Sequence, residues 1–309
     1  MIYITGDLHG SIDIRKLLDN QITKQMTEDD YLIICGDFGL VYDYKRENRK
    51  ERKWLNWLQQ RPWTTLFADG NHECFPRLYN YPVKAWNGGH VHVVRSKVMH
   101  LMRGEVFEIE GNTIFVMGGA SSHDRGPAAG DTKAVIGKHW WPEEIPSEIE
   151  MEYGVDNLER CGFKVDYVIT HCLPTTFQDI VKRGEFKPDL ITKYLELIYG
   201  KLEFKHWYCG HYHCNYDVND KVTVVFSRII HIGKTIFDSE TMLGVPKFRK
   251  GDAVLFKHEG QQLLGEIKGV LPYGTLFKHE EPYYEIVPFE QKHKLTIIES
   301  QILEKSLIE

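Results

Sequence analysis

Five short apolar runs, each broken by a glycine or threonine into polar residues, constrain this chain more than any other feature. They read "MIYITGDLHG", "YLIICGDFG", "TTLFADGNHE", "DYVITHCLP" and "HWYCGHYH". Runs of this length bounded by such residues read as buried strands. Amphipathic helical patterns lie between them: "SIDIRKLLDNQ", "ENRKERKWLNWLQQ" with Trp54, Leu55 and Leu58 on one face, and a stretch from about Asp189 to Tyr199. Strands alternating with such helices imply βαβ units whose helices cover the sheet, an α/β chain. From residue 91 to 118 the pattern shortens to "VHVV", "KVMHLM", "EVFEIEG" and "NTIFVMGGA", which suggests a meander or a second sheet. "KVTVVFS" and "RIIHIG" read as closing strands.

A seam follows at "DSETMLGVPKFRKGD". Beyond it "DAVLFKHEG", "LLGEIKGVL", "YYEIVPF" and "KLTIIESQILE" are short β runs punctuated by Gly and Pro, the pattern of a small barrel. The expected division is therefore a larger α/β domain over residues 1–240 and a small β-barrel domain over 245–309.

Polar residues collect where the strands of an α/β sheet open into loops, the edge at which ligands bind. They are Asp7 and His9, Asp37, Asn71 and His72, His171, and His211 and His213. Two aspartates, an asparagine and four histidines form a donor set for Mn, Fe, Zn or Co, unlike an all-oxygen calcium cage. One divalent ion needs four to six ligands, so seven from five strand ends suggest two ions sharing a carboxylate. Asp-x-His and His-x-His spacings fit, because alternate residues of extended backbone point the same way. Taken singly, each motif is also a polar turn, a strand cap or, at Asn71, a left-handed turn after Gly70. Their joint occurrence after apolar strands points to metal.

These blocks resemble the signature of the calcineurin-like metallophosphoesterase superfamily: GDxHG, GDxx, GNHE/D, a histidine after a strand, and GHxH. The resemblance covers residues 1 to about 235. It implies a four-layer αββα sandwich. It further implies that Asp7, His9, Asp37 and His213 bind one ion, that Asp37, Asn71, His171 and His211 bind the second, and that Asp37 bridges them. His72 matches the histidine that faces the substrate phosphate, while Glu73 either orients His72 or is a solvated turn residue. Protein serine/threonine phosphatases continue the second motif as GDxxDRG; here "GDFGLVYD" places Leu40 where that aspartate falls, with no arginine after it. The chain is more similar to bacterial and phage metallophosphoesterases with "GGASSHDR" and a later "WWPEE". In that loop Arg125 either clamps phosphate or pairs with an acid such as Asp124. Trp140 and Trp141 read as a packing corner, and His90 and His92 as surface or core residues. The tail resembles an SH3-like barrel, whose kind bind peptides, RNA or their parent enzyme, or serve only as a packing appendage.

Composition excludes some classes and orders the rest. A hydrophobic fraction of 42% and a charged fraction of 27% are those of an ordinary globular protein. A net charge of −6 argues against a broadly basic nucleic-acid surface and leaves room for a local basic groove. The start lacks a signal-peptide pattern, and no apolar stretch has the length of a membrane span. Six cysteines without C-x-x-C spacing read as reduced thiols, so a cytoplasmic protein is expected. The resulting expectation is a hydrolase that cleaves a phosphate ester by metal-activated hydroxide, Asp37 and His72 acting with Arg125. Two divalent ions, manganese first, are its cofactors. A phosphomonoesterase is slightly preferred to a phosphodiesterase or nuclease, and a non-catalytic scaffold is the reading from another class.

Overall fold

The computed structural model describes residues 1–306 apart from 19, 123–135, 139, 182–186, 237–247, 272–282 and 292. The chain divides into two compact units, Met1–Ser239 and Glu240–Glu309.

In the first unit the apolar runs become strands of two mixed sheets. The first sheet contains β1 (Ile2–Thr5), β2 (Tyr31–Cys35), β3 (Thr64–Ala68), β4 (Val83–Trp86), β5 (Gly89–Arg95) and β6 (Val98–Leu101). The second contains β7 (Val106–Ile109), β8 (Asn112–Met117), β9 (Tyr167–Thr170), β10 (His206–Cys209), β11 (Tyr216–Asn219) and β12 (Val222–Val224); β13 (Ile229–His231) returns to the first. The strand orders are β13-β1-β2-β3-β6-β5-β4 and β11-β12-β10-β9-β8-β7. Within the first, β1, β2, β3 and β6 are parallel; within the second, β8, β9, β10 and β12 are. The passage between sheets falls inside the stretch 91–118: β5 and β6 still belong to the first, to which β13 later adds, and β7 and β8 begin the second.

Helices cover one face of each sheet. α2 (Arg49–Gln59) packs Leu55 and Leu58 with Leu32, Ile34 and Phe67 of the first. α4 (Glu148–Arg160) and α6 (Leu190–Lys201) pack Leu158, Ile191 and Leu195 with Phe115, Val168 and Trp207 of the second. Ile4, Ile33 and Leu66, and Ile169 and Tyr208, belong to neither cluster yet are fully buried. Strand side chains alternate between faces, so these residues fill the layer between the sheets and complete the four-layer αββα sandwich. The three remaining α-helices among the described residues, α1 (Gln21–Gln25), α3 (Phe75–Leu78) and α5 (Thr175–Val181), are short. The pattern "SIDIRKLLDNQ" does not make one helix: it yields a 3-10 turn, Ile14–Leu17, and then α1, capped by Asn20. No described helix is long and apolar enough to cross a membrane.

The second unit is one antiparallel sheet of β14 (Ala253–His258), β15 (Gln261–Leu271), β16 (Tyr283–Pro288), β17 (Leu295–Ile298) and β18 (Ile302–Lys305), ordered β17-β16-β15-β14-β18. Its core is Val254, Phe256, Ile267, Tyr284, Ile286 and Ile297. The two edge strands, β17 and β18, are joined through the turn Glu299–Gln301. Four residue steps reach at most about 14 Å, whereas the edges of a flat five-stranded sheet stand about 19 Å apart. The sheet must therefore curl, as a small barrel does, which is compatible with the SH3-like resemblance.

Candidate metal centre

Parallel neighbours present their carboxyl ends on one side. β1, β2 and β3 deliver Asp7, Asp37 and Asn71 there; β9 and β10 deliver His171, His211 and His213 from the facing sheet. Hydrogen bonds join the two sets. His171 Nδ1 lies 2.8 Å from the Cys35 carbonyl, and the His211 amide donates to Asp7 Oδ1 at 3.1 Å. Two donor groups result: Asp7, His9, Asp37 and His213, and Asp37, His171 and His211, the ligating atoms of each within 4.8 Å of one another. Asp37 belongs to both. Its Oδ2 lies 3.3 Å from His9 Nε2 and its Oδ1 lies 3.3 Å from His171 Nε2.

The backbone that achieves this is not the extended one the spacing suggested. His9, Asp37, His211 and His213 have φ of 43°, 46°, 68° and 49°, in the left-handed region. Each such residue costs on the order of 1 kcal/mol. The paired ligands converge through tight turns rather than by alternation along a strand. Asn71, which sequence alone allowed to be such a turn residue, does not have positive φ. Gly70 and Gly210 are there because nothing larger fits. A Cβ on Gly70 would lie 2.2 Å from Asp37 Oδ1, and one on Gly210 2.1 Å from Asp7 Oδ1.

The donor set fits divalent cations. Asn71 Oδ1 is buried and without a hydrogen-bond partner among the described residues, which is costly unless a ligand meets it. His171 Nε2, also buried, has only the Asp37 carboxylate 3.3 Å away and no hydrogen bond of good geometry. The His171 Nδ1–Cys35 contact reserves Nε2 for that ligand, and Asp13 Oδ2, 2.7 Å from His9 Nδ1, does the same for His9 Nε2. The charges agree. Burial opposes a proton on His9 and on His171, yet the surrounding carboxylates, Asp13 and Asp37 for His9 and Asp37 for His171, raise them to about 10 and about 9. Burial also opposes the charge on Asp37, but His171 and His72 hold its carboxyl well below the ordinary range. Without cations the pocket gathers protons where positive charge is wanted.

His72 stands apart from the donors. Its Nε2 is 3.9 Å from Asp37 Oδ2, its ring is 5.3 Å from that of His9, and its side chain is 33% exposed, at the mouth. Glu73 neither orients His72 nor meets solvent. It is buried, and it accepts from the amides of Phe38 at 2.6 Å, Gly39 at 3.3 Å and Gly70 at 2.8 Å. It thereby ties the loop after β2 to the loop after β3. Burial, then Asp37 and Asp69, push its carboxyl up to about 8, while the Gly70 amide works the other way.

Other supports had no distinctive signal in the sequence. Lys16 is buried and donates to the carbonyls of Gly6, Asp7 and Phe226 at 2.8, 2.7 and 2.6 Å. Burial lowers its ammonium to about 8. Asp69, two residues before Asn71, is held by Arg103 at 2.5 Å and by His100 at 3.0 Å, and His92 meets His100 at 2.9 Å. His92 is thus a core residue, whereas His90 pairs with Glu105 at 2.7 Å. Arg125, with His123 and Asp124, lies outside the described residues. Trp141 precedes the 3-10 turn Pro142–Glu144, whose buried Glu144 accepts from the amides of Ser122 and Trp141.

Two comparisons with known proteins add to this geometry. The family model for calcineurin-like phosphoesterases matches residues 1–215. No curated protein matches the chain.

Proposed function

The chain belongs to the calcineurin-like phosphoesterase family, and from that premise we propose that it hydrolyses a phosphate ester at a centre of two divalent ions, manganese first among them. The observation that carries the reading is the pair of donor groups sharing Asp37, with the orphaned Asn71 Oδ1 beside them. Asp7, His9, Asp37 and His213 would hold one ion, and Asp37, Asn71, His171 and His211 the other. Two such ions lower the pKa of a water, hold phosphoryl oxygens and offset charge in an in-line displacement.

The chain's own residues do the rest. Asp13 and the Cys35 carbonyl orient the ligating imidazoles, and Glu73 keeps the Asp37 and Asn71 loops in register. His72, outside the donor groups and partly exposed, is placed to hydrogen-bond a phosphoryl oxygen or to protonate the leaving oxygen. No serine or cysteine nucleophile is required: Cys35, Cys172 and Cys209 are buried, and burial raises all three thiols.

Of the two ester classes, the diester now comes first, reversing the order that net charge suggested. A groove of about 370 Å³ opens from His9 and His72 past Ile12, Tyr42 and Lys50. Its size is that of a small-ligand site, and it leaves room for a substituent beyond the phosphate. A monoesterase remains the second reading.

The test is a panel of bis-p-nitrophenyl phosphate and p-nitrophenyl phosphate with Mn, Fe, Zn and Mg. Turnover of the diester above the monoester is expected, and the opposite order restores the monoesterase. His72→Ala is expected to lose hydrolysis and keep its metal. Unchanged turnover in that variant removes His72 from the chemistry.

A further inference from the structure

Residues 42–53, "YDYKRENRKERK", carry six Lys or Arg and three Asp or Glu, a net +3. With the whole chain at −6, the other residues carry −9. The segment forms one wall of the groove that reaches His9 and His72, so a local departure from the acidic average stands at the mouth of the site.

The charges are also sorted by direction. The acids point inward or pair with neighbours. Glu51 is buried, accepts from the amides of Tyr42, Asp43 and Asn48 and pairs with Arg77. Glu47 pairs with Arg52 and Arg95, and Asp43 accepts from the amides of Lys45 and Arg46. The cations Lys45, Arg46, Arg49, Lys50, Arg52 and Lys53 are all exposed. Arg49 and Lys50 open α2, where the helix macrodipole is positive and cations are unfavourable. Helix stability does not explain them; an anion beside them would.

The cations line a place for such an anion. A second groove, of about 560 Å³, is lined by Lys45, Arg46, Arg49 and Arg52 together with Asp43 and Glu47, whose carboxylates are taken up by the amides and arginines just named. Asn48 lines both it and the groove that reaches His9 and His72. Two tyrosines flank the path: Tyr42 is 42% exposed, its ring 6.2 Å from that of His72, and Tyr44 is 41% exposed beneath Lys45, 5.3 Å away. Cations tracking a backbone, interleaved with exposed rings, are the parts of a single-strand nucleic-acid site. A duplex presents no unstacked bases for the rings, and an unphosphorylated acidic peptide has no π-faces to stack.

We propose that residues 42–53 bind a single-stranded nucleic acid, its phosphates along Lys45, Arg46, Arg49 and Lys50 and its bases on Tyr42 and Tyr44, leading one phosphodiester to the metal centre. The proposal rests on the phosphoesterase reading for its chemistry. Water adds to phosphorus, one P–O bond to a nucleoside breaks, and the departing oxygen takes a proton, with no redox partner. Strand binding itself needs no turnover.

The experiment therefore measures binding in chelator, where nothing is cleaved, by fluorescence anisotropy of a labelled oligo-dT of about 20 nucleotides with the full chain. Neutralising four phosphates predicts a slope of log K against log salt of about −3. Losing one base stack in Tyr42→Ala weakens binding roughly 5- to 150-fold. The charge reversal Arg49→Glu with Lys50→Glu is expected to abolish measurable binding. Because acids in a first helical turn favour the helix, α2 does not unfold in that variant, and Lys45→Glu with Arg46→Glu supplies a second test outside the helix. Binding that is undiminished by these substitutions, tighter for a duplex of the same length, or tighter for a phosphorylated acidic peptide overturns the proposal. Binding as expected together with failure to hydrolyse any diester would leave the binding segment standing and sink the diester reading of the metal centre instead.

Discussion

Glu73 offers the sharpest test of how the metal-binding loops are held. In Glu73→Ala the amides of Phe38 and Gly70, bound at 2.6 and 2.8 Å in the buried interior, lose their acceptor; that of Gly39, at 3.3 Å, is only part-buried. An orphaned buried amide costs about 1–3 kcal/mol, so two predict a loss of about 2–6 kcal/mol. That is a large share of the roughly 5–15 kcal/mol by which domains are stable. Glu73→Gln keeps one acceptor oxygen and sets an NH₂ group where the carboxyl, pushed up to about 8, already carries its proton at neutral pH, predicting a smaller loss of about 1 kcal/mol. Urea melts in chelator should rank wild type, then Gln, then Ala. Manganese affinity should fall in the same order, because Phe38 and Gly39 follow Asp37 directly and Gly70 precedes Asn71. If both variants melt within about 0.5 kcal/mol of wild type, the ordinary range for a surface change, Glu73 does not clamp the two loops. If only turnover then changes, Glu73 acts on His72, as the sequence had also allowed.

Further outcomes follow from the same geometry. Gly70→Ala puts a methyl group 2.2 Å from Asp37 Oδ1 and 2.7 Å from His171 Nε2; manganese binding should be lost even where circular dichroism shows a folded chain. Asn71→Ala removes an orphaned oxygen from the set proposed for the second ion only, so metal analysis should fall from two manganese ions per chain toward one. Stability should also drop in acid through His92, whose imidazole burial and then His100 lower from 6.5 to about 4. The unfolded chain takes up that proton first, so the contribution is complete above pH 6.5 and is lost as pH falls toward 4. At about 1.4 kcal/mol per pH unit, roughly 3 kcal/mol is at stake. His92→Asn should flatten that limb of the pH–stability curve, and an unchanged limb removes His92 as its source.

Each donor group was legible in the sequence because its chemistry is local. A short apolar run names a strand, the strand names an edge, and the residue past that edge is read directly. Hence Asp7, Asp37, Asn71, His171 and His211 could be named as candidates from text alone, whereas the αββα class came with the family resemblance, the runs themselves suggesting only βαβ units and a meander or second sheet. The route by which they meet was not legible: left-handed turns at His9, Asp37, His211 and His213 depend on backbone torsions that residue spacing does not encode. Nor were the clamps, because Glu73, Lys16 and Asp13 act on partners chosen by packing, and Glu73 reaches back 35 residues to the amide of Phe38. The basic segment belongs to the same class. Its composition was visible as a charged helix, but only the folded chain turns Glu51 inward onto three amides while leaving six cations facing water, since burial of a carboxylate is decided by which amides surround it. Residue identity determined which atoms are able to bind metal; tertiary structure decided which of them lack any other partner, and which charges remain for a substrate to meet.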